Sequence, residues 1–185
     1  MSRIMTYYRR RLPHWQPPGQ DLFVTWRLHG SLPRQILSPK EVFSPGERFV
    51  HYDRILDEAR TGPLWLKNVR VADCVLSTIL ETQRREMLQT RAYVLMANHV
   101  HILLTQFVPL DQITRQIKGS SARQANVILS RTGQHFWQDE SFDRWVRDPA
   151  ELLKIRTYIE HNPVVAGLVS RAKEWPWSSA SRPIA

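Results

Sequence analysis

His99-Val100-His101 is the first arrangement in the chain whose residue types and spacing suit chemistry. It opens the stretch HVHILLT, residues 99–105, which reads as a strand. Residues two apart on a strand point to the same face, so both imidazoles emerge side by side while Val100 and Ile102 point the other way. Two neutral imidazoles about 7 Å apart along a strand can bind one divalent ion. By itself the pair is a weak signal, since His-x-His often arises by chance, and reads first as histidines at the surface or the edge of a core. A second arrangement is Tyr158 with Asn162, four residues apart on the last helix and therefore on one face of it. A phenol is a nucleophile able to attack phosphorus, and an amide oxygen one turn further on is a hard ligand suited to Mg²⁺ or Mn²⁺. The same two residues also read as a helix-flank aromatic and a C-terminal cap, and His161 is a rival ligand. A third arrangement is Arg115, Lys118 and Arg123, spread along one helix with the hydroxyls of Ser120 and Ser121. Backbone phosphates are a natural partner for such a set, and a solvated helix face is the ordinary alternative.

Positioning such groups takes a core, and the chain can build one. Its 185 residues suit a single domain with a modest extension, and 42% hydrophobic with 23% charged residues is a globular composition. No apolar run approaches the roughly 20 residues that span a bilayer, so a membrane partner is not expected. The start, MSRIMTYYRRRLPHW, has no apolar stretch of a secretory signal. Cys74 is the single cysteine, which excludes an internal disulfide and a multi-cysteine zinc site and fits a reducing cytoplasm. Lys and Arg number 26 against 17 Asp and Glu, a net charge of +9. Such a surplus, accompanied by seven Trp and five Tyr, suits a polyanion with unpaired bases. A merely basic surface gives the same count.

The first twenty residues, with Arg9, Arg10 and Arg11 followed by Pro13, Pro17 and Pro18, read as an irregular basic arm. A domain over 21–180 and a short tail over 181–185 follow. The stretch 22–28 reads as a strand and 31–46 as loop. Helical spacing appears over 47–60, with Phe49, Ile55, Leu56 and Ala59 near one face, and again over 71–87. Residues 91–97 and 99–105 read as a hairpin turning at Ala97-Asn98, and 109–131 as a helix. The mixed stretch 134–147 has no clear period. The final helix has Asp148 as N-cap, Pro149 at its first position and Glu151 as capping-box partner, with Leu152, Ile155 and Ile159 turned inward and Asn162-Pro163 as its end. Trp175 and Trp177 are expected to pack back on the domain. The order suggests an α+β fold, an antiparallel sheet with helices packed against it.

The strings YVLMANHVHILL, IKGSSARQAN, FWQDESFDRWVRD and YIEHNPVVAGLV, taken in this order, resemble the REP-associated tyrosine transposases, single-tyrosine members of the HUH superfamily of single-strand DNA nucleases. The resemblance covers roughly residues 20–180. It implies a ferredoxin-like palm, with His99 and His101 as the metal-binding pair, Tyr158 as the catalytic tyrosine and Asn162 completing a Mg²⁺ or Mn²⁺ site. It also implies that Lys118, Arg123 and Arg147 lie near DNA. The substrate implied is single-stranded or hairpin DNA carrying repetitive extragenic palindromes, cleaved through a 5′-phosphotyrosine link. A monomer is favoured, with a dimer as the alternative. Arg9, Arg10 and Arg11 are expected to grip the hairpin stem or flanking strand. Two positions depart from the pattern: Ala97 replaces a frequent Pro, and Arg144 replaces a frequent His, so no catalytic role is given to Arg144. Residues 31–70 are longer than in compact relatives and carry no assigned function. A domesticated module that binds palindromes without turnover is the main alternative. A His-based phosphohydrolase is a weaker one, because no His-x-Thr repeat follows His101.

Overall fold

The structure is a computed structural model. It describes residues 6–9, 13–16, 21–33 and 45–183. Two short strands, β1 (Thr6–Arg9) and β2 (Pro13–Gln16), pair antiparallel with Tyr7 opposite Trp15. The expected irregular arm is therefore a small hairpin: the Thr-Tyr-Tyr run favours extended backbone, and Pro13 sits at the first residue of its strand, where it is tolerated. Arg10 and Arg11 lie outside the described residues. β2 runs close to the outer strand of the main sheet.

The main sheet is built from β3 (Asp21–Leu28), β4 (Leu88–Leu95), β5 (His99–Gln106) and β6 (Trp137–Trp145) in the order β4-β5-β3-β6, all antiparallel. The helices are α1 (Pro45–Glu58), α2 (Val69–Arg84), α3 (Leu110–Ile128) and α4 (Pro149–Val165). Setting α1 aside, β3-α2-β4-β5-α3-β6 with β3 and β5 in the centre is the ferredoxin-like order that the resemblance implied. Among the described residues no helix is long and apolar enough to cross a membrane.

Both faces of the sheet are covered, which is why β5 reads as a near-continuous buried run rather than an alternating one. Leu22, Val24 and Trp26 of β3 and Val100, Ile102 and Leu104 of β5 meet the inner faces of α2 and α3. On the other face, Phe23, Val94 and Leu103 meet Ile155 and Ile159 of α4, with Phe49 of α1 alongside. The histidines share this second face with Phe23 and Leu103.

β6 is the element that the sequence hid. Its stretch QDESFDRW is polar and lies half-buried at the sheet edge, so no period marks it. α2 starts at Asn68, whose side chain accepts from the amides of Arg70 and Val71 at 3.0 and 3.4 Å. Asp148 caps α4 as expected, its Oδ1 accepting from Glu151 N at 2.8 Å. The expected stop at Asn162-Pro163 is corrected: α4 runs through Pro163 to Val165. A proline so near the end forgoes only the one bond that its own amide would have made, and Ala166 N still reaches Asn162 O at 2.9 Å. The tail packs back as expected. Trp175 Nε1 donates to Leu95 O and Trp177 Nε1 to Asp73 Oδ1, both at 2.9 Å, and Val94 bridges to Ser178.

Candidate metal centre and nucleophile

β5 and β3 fix the two imidazoles. The register places Thr25 opposite His101 and Arg27 opposite His99, all on the face that α4 covers. Both histidines are fully buried, and their Nε2 atoms stand 3.0 Å apart. The outer nitrogens are held from behind. Asn98 Nδ2 donates to Leu56 O at 3.0 Å, which fixes the amide and turns Oδ1 to His99 Nδ1 at 2.7 Å. An oxygen there only accepts, so His99 carries its proton on Nδ1 and presents a bare lone pair at Nε2. Thr25 Oγ1 lies 2.7 Å from His101 Nδ1 in the equivalent place.

The groups facing this pair come from two helices. From α4, Asn162 is 2% exposed and turns Nδ2 to His101 Nε2 at 3.5 Å, leaving Oδ1 buried without a hydrogen bond. Rotating that amide by half a turn exchanges the two atoms. Tyr158, one turn earlier, packs its ring on Phe23 and His101 at 6.1 and 5.6 Å between centroids. From α1, Asp53 Oδ1 lies 3.2 Å from His101 Nε2 and 3.8 Å from His99 Nε2, while its Oδ2 accepts the Tyr158 hydroxyl. Asp57 Oδ1 is 3.6 Å from His99 Nε2. Both Oδ1 atoms are buried and without a hydrogen bond.

Burial, with a smaller push from His101, depresses His99 to about 3, so it stays neutral and available as a donor. Burial raises the Asp53 carboxyl, but the two imidazoles more than offset it and hold it below the usual range. Asp57 is pushed up to about 7 by burial and by Asp53 beside it, with His101 opposing. Asp53, His99 and His101 offer ligand atoms that all lie within 4.8 Å of one another. The bare nitrogen of His99, set 3.0 Å from His101 Nε2 beside unpaired carboxylate and amide oxygens, fits a hard divalent cation, which would satisfy several of these lone pairs at once.

The other expected residues divide by face. His161 is exposed, its Nδ1 on Thr157 O at 3.1 Å, so Asn162 and not His161 faces the pair. Lys118 donates to Gln138 O and Asp139 O at 2.7 and 2.8 Å and so ties α3 to β6. Arg115 lies 3.3 Å from Asp111, and Arg123 is exposed further along α3. These three belong to the helix on the opposite side of the sheet from the histidines. Arg147 precedes α4 and pairs with Glu151 at 3.2 Å, which also takes Arg144 at 3.0 Å.

Sequence reasoning missed Asp53, Asp57 and Arg27. The signal for the first two was an Asp pair at helical i,i+4 spacing beside the apolar Phe49 and Leu56. Arg27 sits in register with His99 on the same face and is partly buried, with Tyr52 and Glu140 acting on its charge.

A ferredoxin-like sheet that presents a His-x-His pair to a helical tyrosine, with an amide one turn beyond it, has the layout of the HUH class. Residues 64–162 match the family described as "Transposase IS200 like", and the chain belongs to that family. It is 29% identical over 109 residues to a Haemophilus influenzae protein named as a REP-associated tyrosine transposase; the match takes in 52% of this chain and 61% of that protein's length. The fold is similar to the structure of a REP-associated tyrosine transposase bound to a REP hairpin, with a TM-score of 0.62 at 19% identity, covering 96% of this chain and 84% of that one.

Proposed function

We propose that the chain is a metal-dependent single-strand DNA nuclease and strand-transferase that acts on palindromic hairpin DNA through a 5′-phosphotyrosine intermediate. The observation that carries this reading is the meeting of Tyr158 with the buried His99 and His101 pair, with Asn162 one turn along the same helix. In this reading His99, His101 and Asn162 hold the cation. A bound Mg²⁺ or Mn²⁺ would supply a Lewis acid for a non-bridging phosphate oxygen. Tyr158 contributes its phenolic oxygen: the Tyr O–P bond forms, the P–O3′ bond breaks, and the 3′ oxygen leaves with a proton as a free hydroxyl. The new phosphotyrosine keeps an ester bond, so a later 3′-OH can displace Tyr158 and rejoin the strand without an external energy source. Asn98 and Thr25 hold the imidazoles in place from behind. Arg9, Arg10, Arg11, Arg115, Lys118, Arg123 and Arg147 are proposed to contact DNA away from the bond being cut, with Lys118 the weakest candidate because its ammonium already serves β6. One domain over 21–180 acting as a monomer in a reducing cytoplasm completes the reading.

The test is a denaturing gel of the protein with labelled single strands that carry hairpins, run with Mn²⁺, with EDTA and with Tyr158→Phe. The expected result is a protein-linked DNA band that needs the metal and disappears in Tyr158→Phe. Retarded DNA on a native gel without any adduct would instead support a binding module.

A further inference from the structure

His99 and His101 are fully buried and Asn162 nearly so, yet a polynucleotide has to reach them. What shuts the site is α1. Among the described residues, the polar groups set against the two Nε2 atoms besides Asn162 are Asp53 and Asp57, both from α1. Asp53 bridges the site: one oxygen accepts the Tyr158 hydroxyl and the other faces the imidazoles. A scissile phosphate has to come to the same place, with its phosphorus at the nucleophile and an oxygen at the cation that these nitrogens would hold. The carboxylate is an anion standing in the phosphate's place.

The helix is lightly held. Of its described side chains only Asp53 and Leu56 are buried, whereas α2 buries seven. Its apolar anchorage includes Phe49, stacked on Phe142 at 4.4 Å and edge-on to Phe23 at 5.4 Å. The Leu56 carbonyl hydrogen-bonds Asn98. An element with so little buried apolar surface opens at low cost compared with the strands beneath it.

We propose that α1 is an autoinhibitory lid, in which Asp53 mimics the scissile phosphate and single-stranded DNA gains the site only when the helix lifts. This inference rests on the transposase reading for the identity of the substrate, but not for the motion. The effect is a population shift: substrate binds the open form alone, so its apparent affinity falls by the fraction open.

The experiment follows Phe49→Ala, which loosens α1 but also removes a ring lying edge-on to His101 at 6.3 Å, and Phe49→Leu as a milder variant should the first fail to fold; His99, against which Asp53 and Asp57 of α1 are set, is therefore the deciding histidine. Three readouts are taken on each full chain in EDTA or Mn²⁺ as appropriate. They are hydrogen exchange of α1 and β5 amides, carbethoxylation of His99 and His101 with exposed His161 as internal reference, and the initial rate of adduct formation at subsaturating hairpin DNA. In the wild type, α1 amides should exchange well before those of β5. In Phe49→Ala, α1 exchange, His99 and His101 modification, and adduct rate should each rise about tenfold, with β5 exchange unchanged. The lid is overturned if α1 exchanges only together with β5, or if histidine modification and adduct rate stay at the wild-type level in the variant. Faster α1 exchange and histidine modification with no adduct from any protein would sustain the lid and overturn the nuclease reading instead.

Discussion

Asn98 shows how much of the site depends on a residue that touches neither nucleophile nor substrate. Its amide has only one useful orientation, because Nδ2 is spent on Leu56 O, and that orientation dictates the tautomer of His99. Asn98→Ala frees the His99 ring and leaves a buried carbonyl unpaired. Mn²⁺ affinity, followed by calorimetric titration, should fall about 10- to 100-fold. The metal-free protein should lose about 1–3 kcal/mol in a denaturant melt. A variant that binds Mn²⁺ as the wild type does would show that the tautomer needs no outside support. That His99 and His101 share one face and Tyr158 and Asn162 another was legible because β spacing and helical spacing are local rules; that the two pairs belong to one site came from the resemblance of four motifs, not from spacing. Asp53 was not. Its residue type is ordinary on a helix, and its importance comes from a contact to Tyr158 across 105 positions of chain.

At the scale of elements, α4 matters most, since one helix carries both Tyr158 and Asn162. Its start was legible to the residue: Asp148 accepts from Glu151 N as expected, while the expected capping-box partner Glu151 takes the amide of Arg147 rather than that of Asp148. Its end was not, because a proline rule that holds for helix interiors is weak in a last turn. Asp148→Ala should cost about 1 kcal/mol in thermal denaturation and raise exchange in the first turn of α4. Glu151 adds a dependence on pH. Burial raises its carboxyl, but the hydrogen bonds from Arg147 and the charges of Arg147 and Arg144 outweigh that and hold it below the usual range. A depressed pKa contributes stability that is complete above the ordinary Glu value near about 4.3 and is lost as pH falls through the lowered one. The gap in melting temperature between wild type and Glu151→Gln should therefore be constant above about pH 5 and close at lower pH. A gap that persists into acid would place the effect in packing. β6, by contrast, was illegible because most of its side chains are half-buried on either face rather than alternately buried and exposed, and its place is set by β3 and by Lys118 from the far side.

For the whole molecule, the surplus of +9 is what a polyanion would meet first. Much of the basic count is already answered locally: Arg84, Arg85, Arg147, Arg156 and Arg171 each lie within 3.2 Å of a glutamate oxygen. The tyrosine face and the α3 face lie on opposite sides of the sheet, so a bound strand that reaches Tyr158 does not reach Arg123 by the same phosphates. We propose that steering falls on cations outside that opposition, Arg9, Arg10 and Arg11 among them; in the described part of that N-terminal segment, β2 runs close to β6. If about six phosphates are neutralised, log affinity for single-stranded hairpin DNA should fall with log salt at a slope of about −4. Replacing all three arginines by glutamine should take about 2 off that slope, because three fewer counterions leave with each binding event. The measurement is fluorescence anisotropy over a salt series, with Tyr158→Phe to hold chemistry aside. A slope unchanged by the triple substitution would move the footprint off the N-terminal hairpin, and a flat salt response in the wild type would remove charge from the account of recognition altogether.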